Sequence, residues 1–211
     1  MTDDERMTAA ERMTAEGLTY GLLLFEGAEE LDFAGPWEIF TASSAVRDGR
    51  DTAVLISASD APVRCNKGMR VLPDATFDDH PDLDVLLVPG GNGRVAAGKD
   101  PVITGWLAAT APKVRWLTSV CTGSLLLHDA GLLDGRRAAT HWAGEDELDA
   151  REGVTLVRGE RFVVDGDVVT SQGVSAGIDM ALWLVGALHG ADHARAVQKY
   201  VQYYPEPPYA E

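Results

Sequence analysis

Cys121, Thr122 and Gly123 sit where one kind of segment ends and another begins. Val114 to Val120 reads as a buried strand, and Thr122 to Ala130 has helical spacing, with Leu125, Leu126 and Leu127 feeding a core. A strand that turns directly into a helix lifts its turn residue to the top of a sheet, at the positive end of the helix dipole. A cysteine there is expected to have an exposed sulfur and a lowered pKa, which is how a fold presents a thiolate nucleophile. The competing reading is a buried, inert thiol, because free cysteines are mostly core residues. A nucleophile also needs a proton shuttle. The candidate is Asp32, a carboxyl between an apolar strand and a Gly-Pro helix start. In a dry site its pKa should rise, and it should titrate together with the thiol. An ordinary helix-terminus carboxylate is the alternative for Asp32. Charge developing on an attacked substrate needs donors. The backbone N–H groups of Thr122 and Gly91 are the candidates, Gly91 because a residue without a side chain lets the backbone approach a reacting atom. The Thr122 hydroxyl is expected either to bond the sulfur or to serve the helix start.

These groups must be brought together by the elements around them. Thr19 to Phe25, Thr52 to Ala58 and Asp84 to Val88 read as buried strands, the last ending in Pro89-Gly90-Gly91. Helices are expected from Pro36 to about Ser44, where proline suits the first helical position, and from about Pro101 to Thr110. Pro62 to Val71 reads as a short hairpin around Asn66-Lys67-Gly68. Arg137 to His141 reads as a strand and Glu145 to Arg151 as a helix. Short β segments follow, with a turn at Asp165-Gly166, and then an apolar helix capped by Ser175 and a last helix from about Ala191 to Tyr203. Strands alternating with helices imply an α/β fold with a doubly wound, mostly parallel sheet covered on both faces. Sites in such sheets form outside the carboxyl ends of the strands. Asp32, Gly90-Gly91 and Cys121 all fall at such ends, so they are expected to share one crevice.

Composition narrows the partners. The chain has 211 residues and a formal charge of −15, with no basic run, which argues against nucleic acid or an anionic membrane. No stretch approaches the roughly 18 apolar residues of a membrane span. The acidic N-terminus lacks the apolar core of a secretory signal, and Cys65 and Cys121 do not make a disulfide framework, so a reduced, cytoplasmic setting is expected. Residues 1–17, with a short Arg-Met-Thr-Ala echo, read as a flexible tail, and residues 18–211 as one domain. His189 and His193 have the spacing of a two-histidine metal site but straddle Gly190 without an intervening acid. They are expected to be surface residues, and no metal is expected. Cys65 is expected to be a bystander.

Leu31-Asp-Phe-Ala-Gly-Pro36, Ser119-Val-Cys-Thr-Gly-Ser124, Ala138-Ala-Thr-His-Trp142, Gly173-Val-Ser-Ala-Gly-Ile-Asp179 and Pro205-Glu-Pro-Pro-Tyr209 occur in that order. Together they resemble the ThiJ/PfpI superfamily, the class I glutamine amidotransferase-like proteins, and within it the isonitrile hydratase branch. The resemblance runs from about Thr19 to Tyr209. It implies a flavodoxin-like fold, a homodimer, a small organic substrate and no cofactor. It also implies Cys121 as nucleophile, Asp32 as catalytic carboxyl and Thr122 as a functional residue. Phe33, Gly90, Trp142 and Ile178 are the expected substrate pocket. Ser171-Gln172 departs from the small residues expected before Gly173 and should alter a pocket wall. The implied reaction is hydration of an isocyanide to an N-substituted formamide. The alternatives are a glyoxalase- or deglycase-like activity on α-dicarbonyls and a redox- or ligand-sensing domain using the same cysteine. A transcription factor is not expected, given the acidic charge and the chain's end at Glu211.

Overall fold

A computed structural model of the chain describes residues 17–209. The expected tail falls almost wholly on residues 1–16, which lie outside the described residues. Among the described residues eleven strands are formed: β1 (Thr19–Leu23), β2 (Thr52–Ser57), β3 (Val63–Arg64), β4 (Arg70–Val71), β5 (Ala75–Thr76), β6 (Val85–Val88), β7 (Trp116–Ser119), β8 (Arg136–Ala138), β9 (Val154–Leu156), β10 (Phe162–Asp165) and β11 (Val168–Ser171). The α-helices are α1 (Glu30–Val46), α2 (Arg94–Ala97), α3 (Pro101–Thr110), α4 (Gly123–Asp129), α5 (Glu145–Asp149), α6 (Ala176–His189) and α7 (Ala191–Tyr200). Seven strands make the central sheet in the order β10-β11-β7-β6-β1-β2-β5. Every pairing in it is parallel except β10 with β11, joined through the Asp165-Gly166 turn. The sheet is flavodoxin-like, as expected.

The apolar runs are continuous because both sheet faces are covered. Tyr20, Leu22, Val85 and Leu87 point to the side packed with α1, α6 and α7, where Phe40, Met180 and Leu184 are buried. Leu23, Leu86 and Val88 point to the other side, with Leu107 of α3 and Leu125 and Leu126 of α4. Period-2 side chains that are apolar on both faces give an unbroken hydrophobic stretch rather than an alternating one. The chain runs from β1 out to β2 and then back across β1 to β6. The switch point therefore opens between β1 and β6, where such sheets bind ligands.

Two local expectations need correction, and two short elements had not been foreseen. α1 starts at Glu30, not at Pro36, which lies inside it. Pro36 removes only the hydrogen bond to the Asp32 carbonyl, and Glu30 and Asp32 in the first turn favour the helix dipole there. Ser175 holds the N-cap position of α6 but makes no cap bond; its hydroxyl accepts from Arg161 Nη2 at 3.1 Å. β5 and α2 are too short to leave a periodic signal in the sequence. By contrast α3 begins as its residues demand: Pro101 is its first residue and the Asp100 carboxylate accepts the Val102 N–H at 2.8 Å.

Candidate active site

The junction between β7 and α4 is sharp because Cys121 adopts φ = 60°, a left-handed conformation rare outside glycine. The bend is held from both sides. The Cys121 N–H donates to the Gln172 carbonyl at 3.1 Å, and the Cys121 carbonyl accepts from the Thr140 hydroxyl at 3.1 Å. Such strain persists only where the surroundings over-determine it. Gly123 makes the bend possible: a Cβ there would stand 2.2 Å from the Val88 carbonyl oxygen. Gly123→Ala is therefore expected to destabilise the fold by about 1–3 kcal/mol, as in other overpacked sites, which thermal unfolding would measure.

Asp32 lies in the first turn of α1, fully buried, against Cys121. Its Oδ2 accepts the Gly90 N–H at 2.9 Å, while Oδ1 is buried with no partner at hydrogen-bonding geometry. The carboxyl and the sulfur are thus neighbours, with Oδ1 left without a hydrogen bond. Burial pushes the Asp32 pKa up to about 7, against the pull of the Gly90 N–H and the Cys121 thiol. This direction agrees with the expected dry site. The thiol departs from expectation. Cys121 is only 7% exposed, and burial followed by the neighbouring Asp32 charge pushes its pKa up to about 12. The N–H groups of Thr122 and Val174 and the Thr122 hydroxyl bond the sulfur and pull the other way without winning. α4 spans only seven residues, so its dipole is outweighed by desolvation. The two groups form a coupled pair that holds one proton over the neutral and alkaline range.

The donors are arranged differently from the expected oxyanion site. Gly91, at φ = 114°, packs so closely that a Cβ would meet the Gly27 carbonyl oxygen at 2.4 Å. Its N–H donates to the Thr122 hydroxyl at 3.2 Å, so it reaches the sulfur only through Thr122. The Thr122 hydroxyl faces the site rather than capping α4. Val174, at φ = 48°, is the donor that sequence reasoning missed. A β-branched residue in a left-handed conformation leaves no mark on the sequence.

A cavity of about 420 Å³ opens over Cys121 and Thr122. Its walls include Glu29, Asn66, Lys67, Arg94, His141 and Glu147. None of the four residues expected to form the pocket lines it. Phe33 is buried in the core beneath α1, and Ile178 packs where a Gly35 Cβ would lie. Gly90 is buried behind Thr122, and Trp142 is 76% exposed, its ring beside His141 but not among the residues that line the cavity. The side chains of Ser171 and Gln172 do not line it either; they contribute a buried hydroxyl on the Ser119 carbonyl and the carbonyl that holds Cys121. The walls are polar because the cavity is bounded by loops and helix ends rather than by the sheet. Arg94 makes a two-pronged ion pair with Glu147, its Nη1 donating to Oε1 at 2.7 Å, and so joins α2 to α5 across the rim. His141 accepts the Ala143 N–H on Nδ1, and burial lowers its pKa, which favours the neutral ring. The motif Ala138 to Trp142 was the available signal for His141, but it gave no direction for the ring.

The His189–His193 pair is elsewhere, with the His189 side chain buried and His193 half-buried. His189 stacks edge-on to His193 at 5.3 Å, and its side chain is 4% exposed. Its Nε2 lies 3.3 Å from Arg47 Nη1 and 3.4 Å from the Tyr20 hydroxyl, beside the buried Asp51. α1, α6 and α7 converge here, which buries the His189 ring and half-buries that of His193, two residues that the sequence places beside a glycine. Among the described residues no group of three His, Cys, Asp or Glu side chains is placed to hold a metal ion. Burial, with Arg47 close by, lowers the His189 pKa to about 4 from 6.5. The folded state therefore favours the neutral ring. The stability this provides is complete above about pH 6.5 and is lost as pH falls toward about 4. His189→Gln is expected to flatten the pH dependence of thermal unfolding within that window.

Among the described residues no helix is long and apolar enough to cross a membrane. Residues 21–187 match the model of the DJ-1/PfpI family. The chain is 39% identical over 192 residues to the isonitrile hydratase of Pseudomonas putida, covering 91% of this chain and 81% of that protein. It is 28% identical to the glutathione-independent glyoxalase DJR-1.2 of Caenorhabditis elegans, covering 89% of this chain and 97% of that one. Among solved structures, a ThiJ/PfpI family protein from Pseudomonas syringae superposes with a TM-score of 0.86 at 32% identity, over 99% of this chain and 83% of that chain. A family model matched over most of this chain and a relative of this identity and coverage settle the kinship: the chain belongs to the DJ-1/PfpI family.

Proposed function

We propose that the protein hydrates an isocyanide, R–N≡C, to an N-substituted formamide through a covalent Cys121 intermediate. The observation that carries this reading is Cys121 on the cavity wall with the buried Asp32 carboxyl against it. The 39% identity to a protein named isonitrile hydratase supports the choice of substrate. With one proton on the pair the sulfur holds it at rest, and its transfer to the Asp32 carboxylate gives the reactive thiolate, supported by the Thr122 and Val174 N–H groups. The sulfur attacks the terminal carbon, forming an S–C bond, while Asp32 gives its proton to that carbon. The product is a thioimidate, R–N=CH–S–Cys121. Asp32, now ionised, takes a proton from water as the hydroxyl adds to the carbon, and passes that proton to nitrogen. The hydroxyl proton returns to Asp32, the C–S bond breaks, and R–NH–CHO leaves with the thiolate restored. Thiol and carboxyl supply both halves, so the scheme uses no cofactor. Thr122 supports the sulfur through its N–H and hydroxyl, with Gly91 orienting that hydroxyl. A homodimer and a cytoplasmic setting belong to the same proposal.

The test is formamide formation from an aryl isocyanide beside turnover of methylglyoxal. Turnover of the dicarbonyl alone would reject the hydratase in favour of the glyoxalase reading, which the kinship to DJR-1.2 supports. The reactive pair has lost one of its two protons. Below about pH 7, kcat/KM is therefore expected to rise about tenfold per pH unit and then level off.

A further inference from the structure

We propose that Glu29 is a positioning residue for the Asp32–Cys121 pair, its carboxylate pinning the tip of the β3–β4 hairpin over the cavity beside the first turn of α1. The inference rests on the reading that this pair does the chemistry.

The hairpin has two residues per strand, too little to hold its own shape. Its place depends on the segment leading into α1. The Gly27 N–H donates to the Arg64 carbonyl at 2.8 Å, and the Asn66 N–H to the Ala28 carbonyl at 2.8 Å. Glu26 and Glu30 accept from the backbone of Arg64 and Lys67. Glu29 alone of these three carboxylates lines the cavity, and it takes side chains instead. Its Oε2 accepts from Asn66 Nδ2 at 2.8 Å, and its Oε1 from the Lys67 ammonium. Glu29 stands at the N-cap position of α1 yet does not cap it. A carboxylate this buried is stable only with such partners, so the contact is directional.

The backbone of Glu29 ties the same point to the catalytic pair. Its N–H donates to the Gly90 carbonyl at 2.9 Å, its carbonyl accepts the Asp32 N–H at 3.2 Å, and the Gly90 N–H returns to Asp32 Oδ2 at 2.9 Å. Hairpin tip, Glu29, Asp32 and Gly90 form one connected unit, and Asn66 and Lys67 are its lid on the cavity side. Burial is the largest cause of the raised pKa of both Asp32 and Cys121. Releasing the tip should admit water and lower both.

The experiment follows the rate of Cys121 alkylation by iodoacetamide against pH, read by mass spectrometry of the Cys121 peptide so that Cys65 does not contribute. Wild type, Glu29→Ala, Glu29→Gln and Asn66→Ala are compared on the whole chain. In Glu29→Ala the midpoint is expected to fall by about one pH unit or more, because desolvation is relieved. Glu29→Gln keeps an acceptor for Asn66 and is expected to restore most of the wild-type midpoint. Asn66→Ala removes one of two anchors and is expected to shift it partway, and serves where Glu29→Ala fails to fold. A role in folding alone would lower the reactive fraction and leave every midpoint in place, and that result overturns the proposal. In isocyanide hydration Glu29→Ala is expected to lower kcat about tenfold with KM little changed. A shifted midpoint in a protein that hydrates no isocyanide would keep the positioning role and reject the hydratase. An unmoved midpoint in an active hydratase would do the reverse.

Discussion

Asp32→Asn is expected to lower isocyanide hydration by two to four orders of magnitude while making the folded protein more stable at pH 8. The loss is the usual size for removing a general acid–base group. Asparagine can still accept the Gly90 N–H, so the first turn of α1 and the cavity should keep their shape. It cannot give or take the proton that carbon, water and nitrogen exchange in turn. The gain in stability follows from the sign of the shift. Burial raises the Asp32 pKa from 3.8 to about 7, so the fold prefers the neutral carboxyl. Above about pH 7 the ionised form is held against that preference at a cost of a few kcal/mol, since each pKa unit corresponds to about 1.4 kcal/mol. An uncharged amide is free of that cost. Formamide production and thermal unfolding at pH 5 and pH 8 check both halves. The stabilisation should be full at pH 8, smaller at pH 5, where the folded carboxyl is neutral but the unfolded one is ionised, and gone below about pH 4, where both are neutral. Equal stability at both values, or activity within tenfold of wild type, would show that Asp32 is an ordinary buried carboxyl.

Cys121→Ala is expected to remove hydration by roughly four orders of magnitude or more, the scale seen when a nucleophile is deleted from an intact site. Cys121→Ser should fare no better. A serine hydroxyl is a far weaker acid than a thiol, and a carboxylate with a pKa of about 7 is a poor base for it. The intermediate gives the second check. Wild type stopped in acid during turnover should carry the substrate mass on the Cys121 peptide as a thioimidate, and both variants should carry none. Turnover that survives Cys121→Ala would place the chemistry on another group. This experiment does not separate hydration from redox sensing, since both need the sulfur; Asp32→Asn does, because simple oxidation of a thiolate does not require the acid.

The sheet was legible because its signal is local. A strand buried on both faces must be apolar along its whole length, as Thr19 to Leu23 and Val85 to Val88 are. The turn at Cys121 was legible for a related reason: an apolar β-branched run gave way to helical spacing across three residues. Asp32 and Gly90-Gly91 followed from topology, since strand ends of one parallel sheet share an edge. The start of α1 was misplaced because proline at an N-terminus is a preference, and here the acidic residues ahead of it already favour helix.

What the residues determined by themselves was the list of candidate groups at the sheet edge and the order in which elements present them. Three matters were left to the tertiary structure. The ionisation of Cys121 depends on how much water the fold excludes, and exclusion outweighed a short helix's dipole. The cavity walls come from Glu29, Asn66, Lys67, Arg94, His141 and Glu147, residues spread over more than a hundred positions that meet only when loops close over the sheet edge. The aromatic and aliphatic side chains chosen from the sequence were drawn instead into the core or out to solvent. Hydrophobicity reports that a residue prefers burial, whereas the side of the backbone from which a cavity is approached is fixed by chain crossing and helix rotation, which no single segment encodes.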